Sequence, residues 1–123
     1  MITKVTSEGN IIQYPLGKDP VTIAKVPPWN TTARSSSFST KASDRNMVDT
    51  TSGWLTATLP LSPVAGDVIE FFDAKGQFGT FALTLGRNGN PINGLTSDFI
   101  CDIMGKKYVA TYIDNSFGWS ISF

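Results

Sequence analysis

DTTSGWLTATLPLSPVAGDVIEFFDAKGQFGTFALTLGRNGNPING, residues 49 to 94, carries the pattern from which the fold is read. A threonine-rich run alternates apolar and polar side chains up to Leu59-Pro60. The turn-forming Pro63-Val64-Ala65-Gly66-Asp67 follows, then the strongly apolar Val68 to Phe72. Asp73-Ala74-Lys75-Gly76 places a glycine where a tight turn needs a positive φ angle. Phe81, Leu83 and Leu85 then fall on one face, before Asn88-Gly89, the strongest short hairpin signal. A side-chain period of two bounded by such turns predicts strands with one face in a core and one half-polar face.

The same period continues to the C-terminal end. Phe99, Cys101 and Ile103 alternate with Ile100, Asp102 and Met104; Tyr108, Ala110 and Tyr112 alternate with Val109, Thr111 and Ile113. Trp119 and Ile121 alternate with Ser120 and Ser122, and Gly105-Lys106-Lys107 and Asp114-Asn115-Ser116 read as turns. No window combines helical spacing with a cap. Strands recurring at intervals of about ten residues predict an all-β chain: an antiparallel β-sandwich, or a barrel or prism-like module.

Residues 1–34 read differently. Pro15, Pro20, Pro27 and Pro28 interrupt short apolar pieces, Ile11-Ile12, Val21 to Ala24 and Val26 to Trp29. Proline fixes φ and removes a backbone donor, so it is confined to edges and irregular extended chain. The division expected is an extended N-terminal arm over 1–34 and a β module over 35–123. The prolines argue against a compact sheet in the arm. Its apolar content predicts that it becomes ordered in an assembly, lying across an adjacent subunit with Trp29 as anchor.

Composition narrows the function classes. Ten basic and ten acidic side chains leave no net charge in 123 residues, and lysine and arginine are not clustered as a nucleic-acid footprint requires. No run approaches the length of a membrane span, and the N-terminal residues lack the apolar core of a signal peptide. Neither a nucleic-acid nor a membrane partner is therefore expected, and synthesis in a reducing cytoplasm is. The chain has no histidine and a single cysteine, Cys101, so neither a Ser-His-Asp nor a Cys-His arrangement nor a usual zinc site is available. Asp67 and Asp73 read as turn-capping residues and Glu70 as a solvated one. A calcium site from Asp73, Asp98 or Asp102 matches no loop motif. The expectation is no catalysis, no cofactor and no metal.

What remains are the aromatic side chains. Trp29, Trp54, Trp119, Tyr108, Tyr112 and Phe117 are the residues from which a sugar-stacking surface could be built, although most aromatics in so short a chain belong to a core or an interface. The residues expected at an interface are Trp29, Ile11, Ile12 and Val26 in the arm, and Trp54 and Trp119 in the module. Tryptophan is enriched at interface hot spots.

Leu59-Pro60-x-x-Pro63-x-x-Gly66-Asp67, then Phe71-x-Asp73-x-x-Gly76-x-Phe78-x-Thr80, then Leu83-Thr84-x-x-Arg87-Asn88-Gly89-x-x-Ile92-x-Gly94 together resemble a small β module of tailed-bacteriophage virion proteins. Gly118-Trp119-Ser120-Ile121 resembles its closing strand, and the resemblance covers roughly residues 45–123. It implies a virion structural protein, made in a bacterial host and often trimeric, that binds other virion subunits. The length leaves no room for a fibre shaft and tip. A capsid decoration or cement protein is therefore the expectation, and a tail- or fibre-associated module that binds a host receptor or glycan is the alternative.

Overall fold

The structure, a computed structural model, describes residues 2–5, 11–14, 29 and 32–123, with the strand pairing alone for 2–5 and 11–14. Every regular element among the described residues is a strand. β1 (Ile2–Val5) and β2 (Ile11–Tyr14) form an antiparallel pair, with Val5 opposite Ile11 and Ile2 opposite Tyr14. Residues 1–34 read from sequence as an extended arm or a few short edge strands, and this pair lies ahead of Pro15 and all later prolines. The prolines themselves lie outside the described residues.

The module comprises β3 (Phe38–Ser39), β4 (Arg45–Val48), β5 (Leu55–Thr58), β6 (Val68–Asp73), β7 (Leu83–Gly86), β8 (Phe99–Cys101), β9 (Lys107–Asp114) and β10 (Gly118–Ser122). They form two four-stranded sheets, β10-β9-β6-β4 and β3-β5-β7-β8. Neither sheet closes into a barrel, so the barrel alternative falls. The sheets are also mixed rather than antiparallel: β3 pairs with β5, β5 with β7 and β4 with β6 in parallel. Consecutive strands from β3 to β7 alternate between the two sheets. Every second strand therefore returns to its sheet in the same direction. Within the module, only β7–β8 and β9–β10 are consecutive strands paired antiparallel. A period of two reports which face is buried and is blind to the direction of the neighbour, which is why the sequence pattern suggested antiparallel pairing.

Both sheets contribute to one core. Val48, Ile69, Phe71, Tyr108, Ala110, Tyr112 and Trp119 from the first meet Leu55, Ala57, Leu83, Leu85 and Cys101 from the second. The Trp119 indole packs edge-on against Tyr112, with ring centroids 5.3 Å apart. Asp73 is buried on the core side of β6. Its carboxylate accepts the backbone N–H groups of Gln77 (3.0 Å), Phe78 (3.1 Å) and Gly105 (2.8 Å). A carboxylate with that many donors is satisfied without a counter-ion. It ties the β6–β7 connection to the β8–β9 connection, so Asp73 does more than cap a turn.

Each open side of the body is laced by one chain segment that pairs with both sheets. On the first side, Arg34 bridges to Val48 of β4, and the chain then runs on as β3 along β5. On the second side, the 87–98 connection leaves β7, pairs with β10 and returns as β8. Trp119 donates to the Pro91 carbonyl (2.9 Å), Asn93 donates to the Trp119 carbonyl (2.7 Å), and Ile121 N–H donates to Asn93 Oδ1 (3.0 Å). The unpaired edge of β10, which would otherwise template association with another strand, is covered in this way.

Candidate functional site

Strand directions bring four connections to one end of the body. β3, β5 and β7 are mutually parallel and finish there. β4 and β6 start there, and the register of Val68 opposite Thr111 puts the β9–β10 turn beside them. The four are residues 40–44, 59–67, 87–98 and 114–118. Each is fixed by an aspartate that accepts a backbone N–H of its own connection or its flank. Asp44 takes Lys41 N–H (2.9 Å), Asp67 takes Val64 N–H (2.9 Å), Asp98 takes Arg87 N–H (3.0 Å) and Asp114 takes Phe117 N–H (2.7 Å). Asparagines stitch the connections to one another: Asn88 Nδ2 donates to the Leu59 carbonyl (3.0 Å), and Asn90 Nδ2 to those of Pro60 (3.2 Å) and Leu61 (3.1 Å). Gly94 N–H donates to the Phe117 carbonyl (2.8 Å).

Held by these bonds, Leu61 (68 % exposed), Val64 (67 %), Leu95 (62 %) and Phe117 (41 %) stand in solvent at this end. Exposed apolar residues gathered on one surface mark interaction sites, whereas scattered ones need no explanation. Their charged surroundings are Asp44, Asp67, Asp98 and Asp114 against Lys41 and Arg87, an acidic balance. Three backbone and hydroxyl donors, led by Phe117 N–H, hold the Asp114 carboxyl below the usual aspartate range, so it stays charged at neutral pH. None of these four apolar residues except Phe117 was singled out from the sequence, because each lies inside a turn cluster. Apolar side chains between prolines, as in Pro60-Leu61-Ser62-Pro63-Val64, were the available signal.

Of the residues expected at an interface, the three tryptophans are described with their side chains, and each occupies a different environment. Trp119 is 0 % exposed and belongs to the core, so it offers nothing to a partner; Tyr108 and Tyr112 are buried likewise. Trp29 is half-buried against its own module. Its ring lies 6.1 Å from that of Phe72, and the Arg45 guanidinium lies 4.2 Å over its centroid. Trp29 is only five positions from Arg34, which is paired to β4, so the module's own sheet is within reach. Arg45 and Lys107 in turn pair with Glu70 at 3.2 and 3.3 Å, which makes Glu70 part of an ion group rather than a solvated side chain. Ile11 and Ile12 lie in β2 opposite Val5 and Lys4, with their side chains outside the described residues, as is Val26 altogether.

Trp54 is the most exposed of the three tryptophans, at 69 %. It directly precedes β5, at the opposite end from the apolar connections. In the alternation of that strand it shares a side with the half-buried Thr56 and Thr58, and Thr56 pairs with Thr84 of β7. Cys101 is fully buried, and desolvation pushes its thiol well above the usual cysteine range, so it remains protonated and unreactive. Among the described residues no three of Asp, Glu, Cys and His group as a metal site, and no helix is long and apolar enough to cross a membrane. Compared with known proteins, the chain matches no family model and no curated protein at a significant level.

Proposed function

We propose that this chain is a β-sandwich virion structural subunit of the capsid-decorating type, acting as a homotrimer and docking on other virion subunits through the end formed by residues 59–67, 87–98 and 114–118. The observation that carries the docking surface is the combination of exposure and fixation. Leu61, Val64, Leu95 and Phe117 stand in solvent on connections held by Asp67, Asn88, Asn90, Asp98 and Asp114. Surfaces fixed before binding lose little conformational entropy on association. Exposed apolar side chains on connections with an acidic balance of charge fit a partner surface that is apolar and carries basic residues. The virion assignment rests on the resemblance over roughly residues 45–123.

The test is co-sedimentation with capsids, with sedimentation velocity for the oligomer. A Leu61→Glu, Leu95→Glu double variant should remain folded, since both side chains are exposed, and lose binding by at least about tenfold. Trp54→Ala, at the other end, should bind as the parent does. Binding that survives the double variant and disappears when residues 1–28 are deleted would move the docking device to the arm. A monomer indifferent to every particle component would remove the structural role.

A second reading, a module that stacks a neutral saccharide on Trp54, is favoured by one observation. The exposed indole adjoins an outer face lined by Thr56, Thr58 and Thr84 rather than by charges. Titration with neutral oligosaccharides, read by tryptophan fluorescence in the parent and in Trp54→Ala, separates the two.

A further inference from the structure

The chain contains the dipeptide Asn-Gly twice within seven residues, at Asn88-Gly89 and Asn93-Gly94. Both form turns with the same backbone: φ is 50° at Asn88 and 91° at Gly89, 52° at Asn93 and 77° at Gly94. These are the two left-handed central residues of a tight turn. Asn-Gly is chemically the least protected dipeptide in a chain, because glycine has no side chain to shield its own nitrogen. Once deprotonated, that nitrogen attacks the preceding amide carbon. The new C–N bond closes a succinimide, the side-chain nitrogen leaves as ammonia carrying the transferred proton, and water opens the ring to aspartate or isoaspartate. The local turn geometry holds the nitrogen away from the amide, so the turn must open first. The cost of opening decides the rate.

That cost differs sharply between the two. Around Asn93, Ile92 and Leu95 exchange both backbone hydrogen bonds at 2.9 Å, and Asn93 N–H donates to Trp119 (2.7 Å). The attacking group, Gly94 N–H, donates to the Phe117 carbonyl (2.8 Å), and the group to be attacked is fixed by Ile121 N–H on Asn93 Oδ1 (3.0 Å). Around Asn88, the turn is closed by Asn90 N–H on the Arg87 carbonyl (3.1 Å) and the Arg87 guanidinium on the Asn90 carbonyl (3.2 Å). Asn88 Nδ2 donates to Leu59 (3.0 Å), while Gly89 N–H donates to no group among the described residues. Asn88 and Gly89 are both exposed, and Asn93 is half-buried.

We infer that Asn88 is a site of spontaneous deamidation in the folded protein, that Asn93 is protected from it, and that the product loosens the 59–64 connection. The reaction replaces the Nδ2 donor by a carboxylate facing the Leu59 carbonyl, which turns an attraction into a repulsion. Asn90, which donates to the carbonyls of Pro60 and Leu61, is then the remaining asparagine tie to this connection. The connection released is the one that presents Leu61 and Val64. The modification therefore couples the age of a molecule to the order of its apolar end.

The experiment is incubation of the intact chain at mildly alkaline pH, followed by peptide mass spectrometry with fragment ions that separate position 88 from position 93. The folded protein should accumulate aspartate and isoaspartate at position 88 about tenfold or more faster than at 93, a ratio set by the additional hydrogen bonds that must break. In concentrated urea the ratio should fall to near unity, since both dipeptides are then equally free. Equal rates in the folded protein, or a ratio that persists in urea, would overturn the assignment to the fold. For the consequence, Asn88→Asp should speed hydrogen exchange at the amides of Leu59, bonded to the Gly86 carbonyl, and Val64, bonded to Asp67, without changing exchange in β6. Unchanged exchange there would overturn the loosening.

Discussion

The two open sides of the body solve one problem with different chemistry. On the first, residues 34–40 run as strand: Arg34 pairs with Val48, Phe38 with Ala57 and Ser39 with Thr58. The bonds are those of backbone ladders, and the side chains add Phe38 against the core, with the Arg34 guanidinium 4.9 Å over its ring. On the second, the 87–98 connection is irregular, and it holds β10 through a single backbone crossing and the side chain of Asn93. A ladder tolerates most residues at its pairing positions. An irregular crossing depends on particular residues. The second side should therefore be the more easily broken by substitution, although both lie across the same core.

The sharpest way to break the comparison is Gly118→Ala. Gly118 sits at the bulge where β10 begins, with φ at 76°, and a Cβ there would fall within the Pro91 carbonyl, which is backbone and cannot turn aside. Left-handed strain and displacement of the crossing together should cost about 4 kcal/mol, read from urea unfolding. A change under about 1 kcal/mol would mean that the crossing moves freely and the second side is not held by it.

Asn93 comes next. Asn93→Ala removes the acceptor of Ile121 N–H and places alanine at a positive φ, for a loss of about 2–3 kcal/mol. Asn93→Gly removes the same acceptor without the strain, so about 1 kcal/mol of that loss should return. On the first side, Phe38→Ala should cost only about 1–2 kcal/mol, less than for a fully buried phenylalanine, because the ring is half-exposed and the ladder beside it survives. If Phe38→Ala exceeds Asn93→Ala, the ranking of the two sides is reversed.

This contrast also explains which features could be read in the sequence. Val68 to Phe72, Leu83 to Leu85 and Tyr108 to Ile113 were evident because regular strands repeat a burial pattern. β4 was only half evident: Arg45-Asn46-Met47-Val48 buries Asn46, whose Nδ2 donates to the Glu70 carbonyl, and a buried asparagine reads as a turn residue. Asp73 misled for the same reason, since its partners lie four, five and thirty-two residues away. The sheet assignment stayed hidden because alternation between sheets leaves the period of two unchanged. Of the exposed candidates, Phe117 at the apolar end and Trp54 at the opposite end were marked by residue type. Leu61, Val64 and Leu95 were not, because apolar residues within turns carry no periodic signal, and the connection that presents Leu61 is tied by asparagine bonds from residues about thirty positions away. Trp29 was marked, but its partners Arg45 and Phe72 are set by the pairing of Arg34 with β4.

The smallest expected effect tests the two sides through acid. Each carries one aspartate held below its ordinary range: Asp49, whose N–H donates to the Arg34 carbonyl on the first side, and Asp114, at the base of the turn into Gly118 on the second. Asp49 is lowered chiefly by the side chain and N–H of Thr51. Asp114 is lowered by Phe117 N–H at 2.7 Å, then by the hydroxyl and N–H of Ser116. A carboxyl whose folded pKa is depressed adds stability above its unfolded pKa, about 3.9 for aspartate, and loses that contribution as pH falls through the folded value. Stability should therefore be level near neutrality and decline once the pH drops below about 5. Both groups are exposed and screened, so the decline attributable to either is shallow. Asp114→Asn should flatten it more than Asp49→Asn, since Asp114 accepts from two consecutive residues and leads directly into the bulge that the second side requires. The measurement is unfolding free energy against pH for the parent and the two variants. A larger flattening from Asp49→Asn would place the acid-sensitive contacts on the ladder side and weaken the case that irregular crossings depend most on particular side chains.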